Sequence, residues 1–195
     1  MIPANPPHPA VASFADAVDL ILDEKRRTLH EIDPEACERV IRSVITAPRV
    51  FVHGEGRSGL VVRMFAMRLM HLGKTVFVVG ETITPAIAPG DVLVAISGSG
   101  TTAGVLEAAH GAQSAGAFIC AITTDPTSPL ALESDHVVVV PAAAKTDHSG
   151  RRSVQFSGSL FEQSALVVFD ATFLLMQSRL GRSSQELWSR HANLE

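Results

Sequence analysis

Two short segments of this 195-residue chain carry residue types that could bind and transform a charged ligand. Residues 97–102 read Ser-Gly-Ser-Gly-Thr-Thr and precede a stretch of helical pattern. Alternating glycine and hydroxyl residues at a helix N-terminus can place several N–H and O–H donors around one point, as a phosphate ester requires. Residues 53–59, His-Gly-Glu-Gly-Arg-Ser-Gly, add a second glycine-rich turn with one cation. One such loop is more often an ordinary cap or turn, but two at neighbouring strand ends favour a phosphate site.

The elements that must position these loops alternate between strands and helices. Short, β-branched and nearly continuous apolar runs predict strands that are buried on both faces, as in a parallel sheet covered by helices. Amphipathic stretches at 60–72 and 103–114 predict helices between strands. The chain is therefore predicted to be α/β, with a doubly wound five-stranded parallel sheet. The predicted strands cover residues 50–52, 76–79, 92–96, 118–122 and 137–140.

The flanking segments complete a single predicted domain over residues 11–195. Helical spacing predicts an N-terminal helical hairpin at 11–47, preceding an α/β core at 48–180 and a tail helix at 181–195. Residues 1–10 are proline-rich and predict a loose tail. Residues 141–156 form a polar loop that is long enough to be functional or mobile.

Composition excludes several classes of protein. The net charge of −4 and the scattered arginines argue against a nucleic-acid partner. The sequence contains no run of about 18 uncharged apolar residues that could span a membrane. The 46% hydrophobic content therefore suggests subunit contacts, as in a dimer or tetramer. Cys37 and Cys120 lie in unrelated segments and predict reduced thiols. With no signal-like N-terminus, this pattern predicts a cytoplasmic protein.

A dinucleotide site is an alternative interpretation of the first loop. Gly54, Gly56 and Gly59 satisfy the spacing G-x-G-x-x-G, and Glu81 could bind a ribose. That interpretation leaves residues 97–102 without a role, and a chain of this length has little room for a separate substrate domain.

The chain resembles the SIS-domain sugar isomerases, whose phosphate loop follows the pattern S-x-S-G-x-T. Within that family it is most similar to the 6-phospho-3-hexuloisomerases. The resemblance runs from the first strand to the last residue and rests on four further segments. These are GRSGLVVRMFAMRLMHLG (56–73), VVGETITPAI (78–87), GSLFEQSAL (158–166) and RHANLE (190–195).

The resemblance implies a set of substrate-binding residues. The side chains of Ser97, Ser99 and Thr102, with their backbone, would hold the phosphate, and Arg57 and Ser58 would contact the sugar. Glu55 and Thr101 depart from the usual family residues, which puts the contacts to the sugar hydroxyls in doubt. The full predicted binding set is Gly56, Arg57, Ser58, Ser97, Gly98, Ser99, Gly100, Thr101 and Thr102.

The resemblance also implies a reaction, in which D-arabino-hex-3-ulose 6-phosphate becomes D-fructose 6-phosphate through an enediolate. Glu162 would be the base, and neither a cofactor nor a metal is expected. From the sequence alone, Ser159-Leu-Phe-Glu162 is read more readily as a capping box, in which the glutamate only closes a helical turn. The two interpretations of Glu162 stay open at this point.

Histidines could move protons between the substrate oxygens, since only histidine titrates near neutrality without special tuning. His191 is predicted to be catalytic, delivered by the C-terminal tail into a neighbouring subunit, or else to pack in that tail. His71 is either a second candidate or a helix C-terminal residue that interacts with the dipole. Arg151 and Arg152 could meet a phosphate but are more typical of a solvated surface.

Two other functions remain open. The chain could isomerise an arabinose or sedoheptulose phosphate on the same fold, or it could be a non-catalytic sugar-phosphate sensor. A sensor in a regulator would need a DNA-binding module, for which the N-terminal residues are too short and insufficiently basic. The leading hypothesis places the enzyme in formaldehyde fixation by the ribulose monophosphate route, with 3-hexulose-6-phosphate synthase as its functional partner.

Overall fold

The computed structural model describes residues 11–143 and 152–194, and these form one parallel sheet with helices on both faces. The five strands are β1 (Arg49–Gly54), β2 (Thr75–Val78), β3 (Val92–Ile96), β4 (Phe118–Thr123) and β5 (His136–Val139). Their order across the sheet is β2-β1-β3-β4-β5, and every pairing is parallel. The predicted doubly wound α/β class is confirmed.

Seven helices surround the sheet in the described residues. The strand–helix alternation follows the sequence pattern, and the fourth helix has the bounds predicted for it. A short fifth helix before β5 was not predicted from the sequence. The helices are α1 (Phe14–His30), α2 (Pro34–Thr46), α3 (Gly56–His71), α4 (Ala103–Ser114), α5 (Pro129–Leu132), α6 (Ser159–Arg179) and α7 (Ser184–Trp188).

The strand order reverses direction between β1 and β3. The chain leaves β1 through α3 towards β2 on one side, and leaves β3 through α4 towards β4 on the other. In open parallel sheets this switch point opens a crevice at the carboxyl ends of the two strands. The two glycine-rich loops are the segments that leave β1 and β3 at that edge.

Each face of the sheet packs its own apolar core. One face buries Val52 and Val94 under α2, α3 and α6, where Phe65 of α3 stacks on Phe169 of α6 at 4.4 Å between ring centroids. The other face buries Phe51 and Leu93 under α4. Because both faces are covered, β3 is buried along its whole length.

The helix α6 is long and apolar enough to cross a bilayer by length and composition alone. Half of its apolar window is buried inside the protein, where it packs against α3, α1 and α2. It is the central helix of the larger core. The apolar character of α6 is therefore accounted for by packing.

The structure corrects two predicted boundaries. Helix α3 begins at Gly56, directly after Glu55, so residues 53–54 of the first glycine-rich segment end β1 and residues 56–59 start a helix. The tail helix is limited to Ser184–Trp188, and the residues from 189 to 194 are not helical. In the long loop, residues 141–143 and 152–158 have no helix or strand. Residues 1–10, Arg151 and most of the predicted polar loop lie outside the described residues.

Candidate active site

The two glycine-rich loops meet in one crevice of about 260 Å³ at the switch point. Its walls come from the β1–α3 turn on one side and from the β3–α4 loop on the other. Six predicted binding residues contribute to it, and Glu55 adds a carboxylate. The lining residues are Glu55, Gly56, Ser58, Ile96, Ser97, Gly98, Ser99 and Thr102.

Hydrogen bonds from the neighbouring β4–α5 loop fix the direction of one peptide in the β3–α4 loop. The carbonyl of Gly98 accepts from Thr124 N at 3.1 Å, Thr124 Oγ1 at 2.7 Å and Thr123 Oγ1 at 3.2 Å. The described chain has no cis peptide bond, and in a trans peptide the N–H points opposite to the C=O. Fixing the Gly98 carbonyl towards β4 therefore turns the Ser99 N–H the other way, towards the crevice that Ser99 lines.

The hydroxyl groups of the same loop form a local network. Ser97 Oγ lies 2.8 Å from Thr102 Oγ1 and accepts from the N–H of Gly100 at 3.1 Å, while Ser99 Oγ lies 3.0 Å from Thr101 Oγ1. Gly100 has a φ of +63°, and a β-carbon there would lie 2.1 Å from Ser128 Oγ. The tight turn therefore requires glycine at this position.

The three helices that begin around the crevice lack side-chain caps. The N-cap residues of α3, α4 and α6 are Glu55, Thr102 and Gly158, and none of them makes a side-chain capping hydrogen bond. The other described helices, α1, α2, α5 and α7, all have one. The first N–H groups of a helix need partners from outside the helix. Leaving them without a side-chain acceptor at one place suits the binding of an anion.

Glu162 lies in the first turn of α6, where it is 5% exposed. Its Oε2 is 2.5 Å from Nε of Arg57, which is itself 65% exposed at the start of α3. Yet Oε2 accepts no hydrogen bond from the part of the chain that the structure describes. The distance is short but the N–H is not aligned with the oxygen, so we interpret the contact as ionic. The preceding residue, Phe161, packs on Gly98, so α6 starts against the Ser97–Thr102 loop.

The capping interpretation of Glu162 is wrong. Residue 158, a glycine with a φ of +79°, is the N-cap of α6, and Ser159 is already inside the helix. The left-handed conformation of Gly158 moves the start of the helix by one residue from the predicted box. Glu162 is therefore a buried carboxylate whose charge faces Arg57 and not the capping position.

The two predicted histidines lie away from their own crevice. His191 stacks on His71 with ring centroids 5.4 Å apart, and Trp188 also stacks on His191, with ring centroids 4.9 Å apart. His71 is the last residue of α3, about 22 Å along the helix from Gly56. Within one chain, neither the His71 ring nor the His191 ring lies near Glu162. Delivery of His191 into a neighbouring subunit stays a prediction.

His53 is a residue at this edge that the sequence analysis did not select. It is the second-last residue of β1, close to Gly104 of α4, and it is half-buried. This burial, the largest effect, lowers the pKa of His53 despite the neighbouring charge of Glu55. Its position directly before the first glycine of the β1–α3 turn was the available signal. Arg152, by contrast, pairs with Glu31 at 3.2 Å.

The dinucleotide interpretation loses its acidic residue. Arg63 of α3 forms an ion pair with Glu81 after β2, where a ribose-binding carboxylate would have to be free. In the described residues, no group of three or more histidine, cysteine, aspartate or glutamate side chains is arranged to hold a metal ion.

Comparison with known proteins agrees with this geometry. The SIS domain matches residues 43–168, from α2 to the middle of α6. The chain belongs to the SIS-domain family. A protein named 3-hexulose-6-phosphate isomerase from Mycobacterium gastri is 52% identical over 178 residues, which cover 91% of this chain and 89% of that protein.

Two further relatives extend this agreement. A 3-hexulose-6-phosphate isomerase from Bacillus subtilis is 35% identical over 90% of this chain and 95% of its own length. A crystal structure of a Methanococcus jannaschii protein, from which a molecular function of 3-hexulose-6-phosphate isomerase was inferred, has a TM-score of 0.81 and 31% identity. It covers 92% of this chain and 99% of that one. The family predicted from the sequence is confirmed.

Proposed function

We propose that this chain isomerises D-arabino-hex-3-ulose 6-phosphate to D-fructose 6-phosphate. The observation that carries the proposal is the crevice where three uncapped helix N-termini meet a buried glutamate paired with Arg57. Full-length relatives that bear the name of this isomerase support the same substrate. The arabinose phosphate, sedoheptulose phosphate and sensor alternatives have no comparable support.

The phosphate of the substrate binds in the Ser97–Thr102 loop. The N–H of Ser99 and the free N–H groups at the start of α4 supply donors, and the positive end of the α4 dipole favours the dianion. The hydroxyls of Ser97, Ser99 and Thr102 can rotate to donate to phosphate oxygens. The sugar then extends across the crevice towards Ser58, Arg57 and Glu162.

Glu162 acts as the base for the proton on carbon. Its carboxylate removes the proton from C2, and the electron pair of that bond forms a C2–C3 double bond while the C3 carbonyl oxygen gains the negative charge. The carboxylic acid, whose proton can exchange with solvent, then gives a proton to C3, which leaves the carbonyl at C2. The exposed guanidinium of Arg57, already beside Glu162, can stabilise the developing oxyanion.

One further proton must move from the C2 oxygen to the C3 oxygen. Imidazole is suited to this step because it accepts and donates near neutral pH. We propose that His191 or His71 of a neighbouring subunit supplies it, because both rings lie far from the crevice of their own chain.

An exposed apolar stripe supports a homo-oligomer. Leu60, Met64, Met67 and Met70 project from one face of α3, and the first three are more than half exposed. Such a face is typical of a subunit contact. We propose a symmetric dimer or tetramer that buries it. Sedimentation of the wild-type protein as a monomer would contradict this, and Met67→Lys should lower the sedimenting mass.

The substrate defines the remaining partner. D-arabino-hex-3-ulose 6-phosphate is the aldol product of formaldehyde and ribulose 5-phosphate, so a 3-hexulose-6-phosphate synthase must supply it. We accordingly place the enzyme in the cytoplasm, in the ribulose monophosphate route.

The direct test couples purified synthase, formaldehyde and ribulose 5-phosphate to this protein and measures fructose 6-phosphate. The protein should form it without added cofactor. In D₂O, solvent deuterium should appear at the reacting carbon. A protein that binds fructose 6-phosphate but catalyses neither reaction is a sensor, and the proposal is then wrong.

Glu162→Gln tests the assigned base. It should lower kcat by about 10²- to 10⁴-fold, because a carboxamide cannot take the proton, while fructose 6-phosphate still binds. Glu133→Gln is the matched control, because Glu133 contacts His110 on the other side of the molecule, and it should keep wild-type kcat. Retained turnover in Glu162→Gln would remove Glu162 from the mechanism.

A further inference from the structure

A second buried glutamate lies on the N-terminal hairpin, outside the crevice. Glu24 of α1 is 4% exposed, and its carboxylate accepts three hydrogen bonds from one short stretch that precedes α6. Oε2 accepts from Ser153 Oγ at 2.7 Å and from Gln155 Nε2 at 2.9 Å. Oε1 accepts from the backbone N–H of Val154 at 2.8 Å.

The same network continues to the residue beside Glu162. Gln155 Oε1 accepts from Gln163 Nε2 at 2.8 Å, and Gln163 follows Glu162 in the first turn of α6. A chain of side-chain hydrogen bonds thus runs from α1, through the connector at residues 152–158, to the part of α6 that carries the base.

Because Glu24 is buried, its carboxylate needs hydrogen-bond donors from the protein. A carboxylate removed from water is stable only when it is paired or hydrogen-bonded, and Glu24 forms no ion pair with the described residues. Its stability depends on donors that all come from residues 153–155. The connector therefore cannot shift without leaving a buried charge unsatisfied, which is costly.

We propose that Glu24 is a positioning residue that fixes Glu162 against Arg57 and the crevice. This inference rests on the proposed function of Glu162 as the base. The connector has no helix or strand of its own, and it reaches α6 through the left-handed Gly158. The anchor of the connector to α1 therefore determines where the first turn of α6 begins and where the Glu162 carboxylate points.

The hairpin also contacts the opposite end of α6. Glu38 of α2 accepts two hydrogen bonds from Arg179 at 2.7 Å each, in the last turn of α6. Glu24 and Glu38 are thus glutamates on the same hairpin that anchor the two ends of one helix. Glu38→Gln is therefore a matched control that loosens α6 far from Glu162.

The test compares Glu24→Gln with Glu38→Gln in the full-length protein. In either orientation of a glutamine amide at position 24, its NH₂ group faces at least one hydrogen-bond donor of the connector, so that hydrogen bond is lost. Glu24→Gln should lower kcat about 10- to 100-fold, as expected for a misplaced base, with KM within about twofold because the phosphate loop is untouched. Hydrogen exchange at amides 162–165 should become faster. Glu38→Gln should retain kcat and the exchange of those amides.

Two more variants guard against simple unfolding of Glu24→Gln. Gln155→Met keeps two of the three hydrogen bonds to Glu24 but cuts the link to Gln163, and it should show the same kcat and exchange changes in a folded protein. The exchange variant Glu24→Gln/Gln155→Glu moves the carboxylate onto the connector, where it accepts from the new carboxamide on α1 and from Gln163. It should recover at least part of the lost kcat.

The results that overturn the proposal are distinct. Unchanged kcat in Glu24→Gln and Gln155→Met, or a lower kcat without faster exchange at amides 162–165, means that Glu24 does not act through the start of α6. Equal loss of kcat in Glu38→Gln means that only general stability matters. An inactive wild-type protein contradicts the proposed function instead, and hydrogen exchange then decides by itself whether Glu24 positions α6.

Discussion

The amino and carboxyl edges of the sheet differ in whether their polar groups find hydrogen-bond partners within the protein. At the amino edge, Asp91 accepts from Arg49 Nε at 3.0 Å and from Ala88 N at 2.8 Å, and Lys74 donates to the carbonyls of Ile45 and Ala47. At the carboxyl edge, three helices start without side-chain caps, and Glu162 Oε2 has no hydrogen-bond partner among the described residues. The groups named at the amino edge are satisfied by the protein itself, whereas the carboxyl edge leaves donors and an acceptor for a ligand.

Cavity size does not distinguish these edges. A depression of about 470 Å³ at the amino edge is larger than the crevice, but the C-terminal end of α2 contributes to its lining, whereas the N-terminal ends of α3 and α4 line the crevice. The negative end of a helix repels a phosphate, and the positive end attracts it. The two edges therefore differ in the direction of their helix dipoles and N–H groups, and volume alone does not predict where an anion binds.

The largest expected effect comes from a methyl group added at the carboxyl edge. A β-carbon on Gly59 would lie 2.5 Å from the backbone oxygen of Gly54, so Gly59→Ala should displace the β1–α3 turn and destabilise the protein by about 2–3 kcal/mol. Activity should be largely lost. Gly111→Ala, in α4 with open space around it, should instead stabilise by about 0.5–1 kcal/mol. Urea unfolding and kcat/KM measure both, and equal effects would contradict the contrast.

A smaller effect is expected when the direction of the Ser99 peptide is loosened. Thr124→Val removes the O–H donor that lies 2.7 Å from the Gly98 carbonyl. KM should rise about 5- to 10-fold, the equivalent of one hydrogen bond, with kcat nearly unchanged. Thr127→Val, in the same loop but bonded to Asp125, is the control for steady-state kinetics. A lower kcat with unchanged KM would show that the loop does not hold the phosphate.

The contrast between capped and uncapped helices can be tested with one alanine at each kind of site. Asp33 caps α2 by accepting from Glu35 N at 2.9 Å, so Asp33→Ala should cost about 1 kcal/mol in unfolding free energy and leave KM unchanged. Thr102→Ala removes no cap but loses the contact with Ser97 Oγ at 2.8 Å, so it should cost about 0.5–1.5 kcal/mol and raise KM several-fold. An unchanged KM in Thr102→Ala would show that the uncapped start of α4 does not hold the phosphate.

The smallest effect concerns pH at the amino edge. Burial, followed by the charges of Arg68 and His191, lowers the pKa of His71 below its usual 6.5. The unfolded chain therefore binds the proton first, so stability is fully present above pH 6.5 and falls as the pH drops through the lower folded pKa. Burial lowers the pKa of His53 and acts in the same direction. Melting temperatures at pH 7.5 and 5.5 should show a smaller decrease in His71→Gln than in the wild type, and an equal decrease would contradict this origin.

Local patterns in the sequence were enough to predict the sheet and the loops that leave it. Continuous β-branched runs indicate covered strands, and the Gly-Ser-Gly turn after β3 has its chemistry within six consecutive residues. The bounds of α4 were predictable for the same reason. Periodicity, glycine turns and donor-rich loops are local properties, so a single sequence reveals them.

The surroundings of Glu162 became known only when the chain was seen folded. Its capping-box spacing predicted a turn-closing role, but the left-handed Gly158 shifted the helix start and Arg57, more than 100 residues earlier, became its ionic partner. Glu24 gave no local signal, because its donors lie about 130 residues further along the chain. The position of His191 on His71 likewise depends on how the tail packs. Such contacts join distant segments, and their energies depend on burial and relative orientation, which no local pattern specifies.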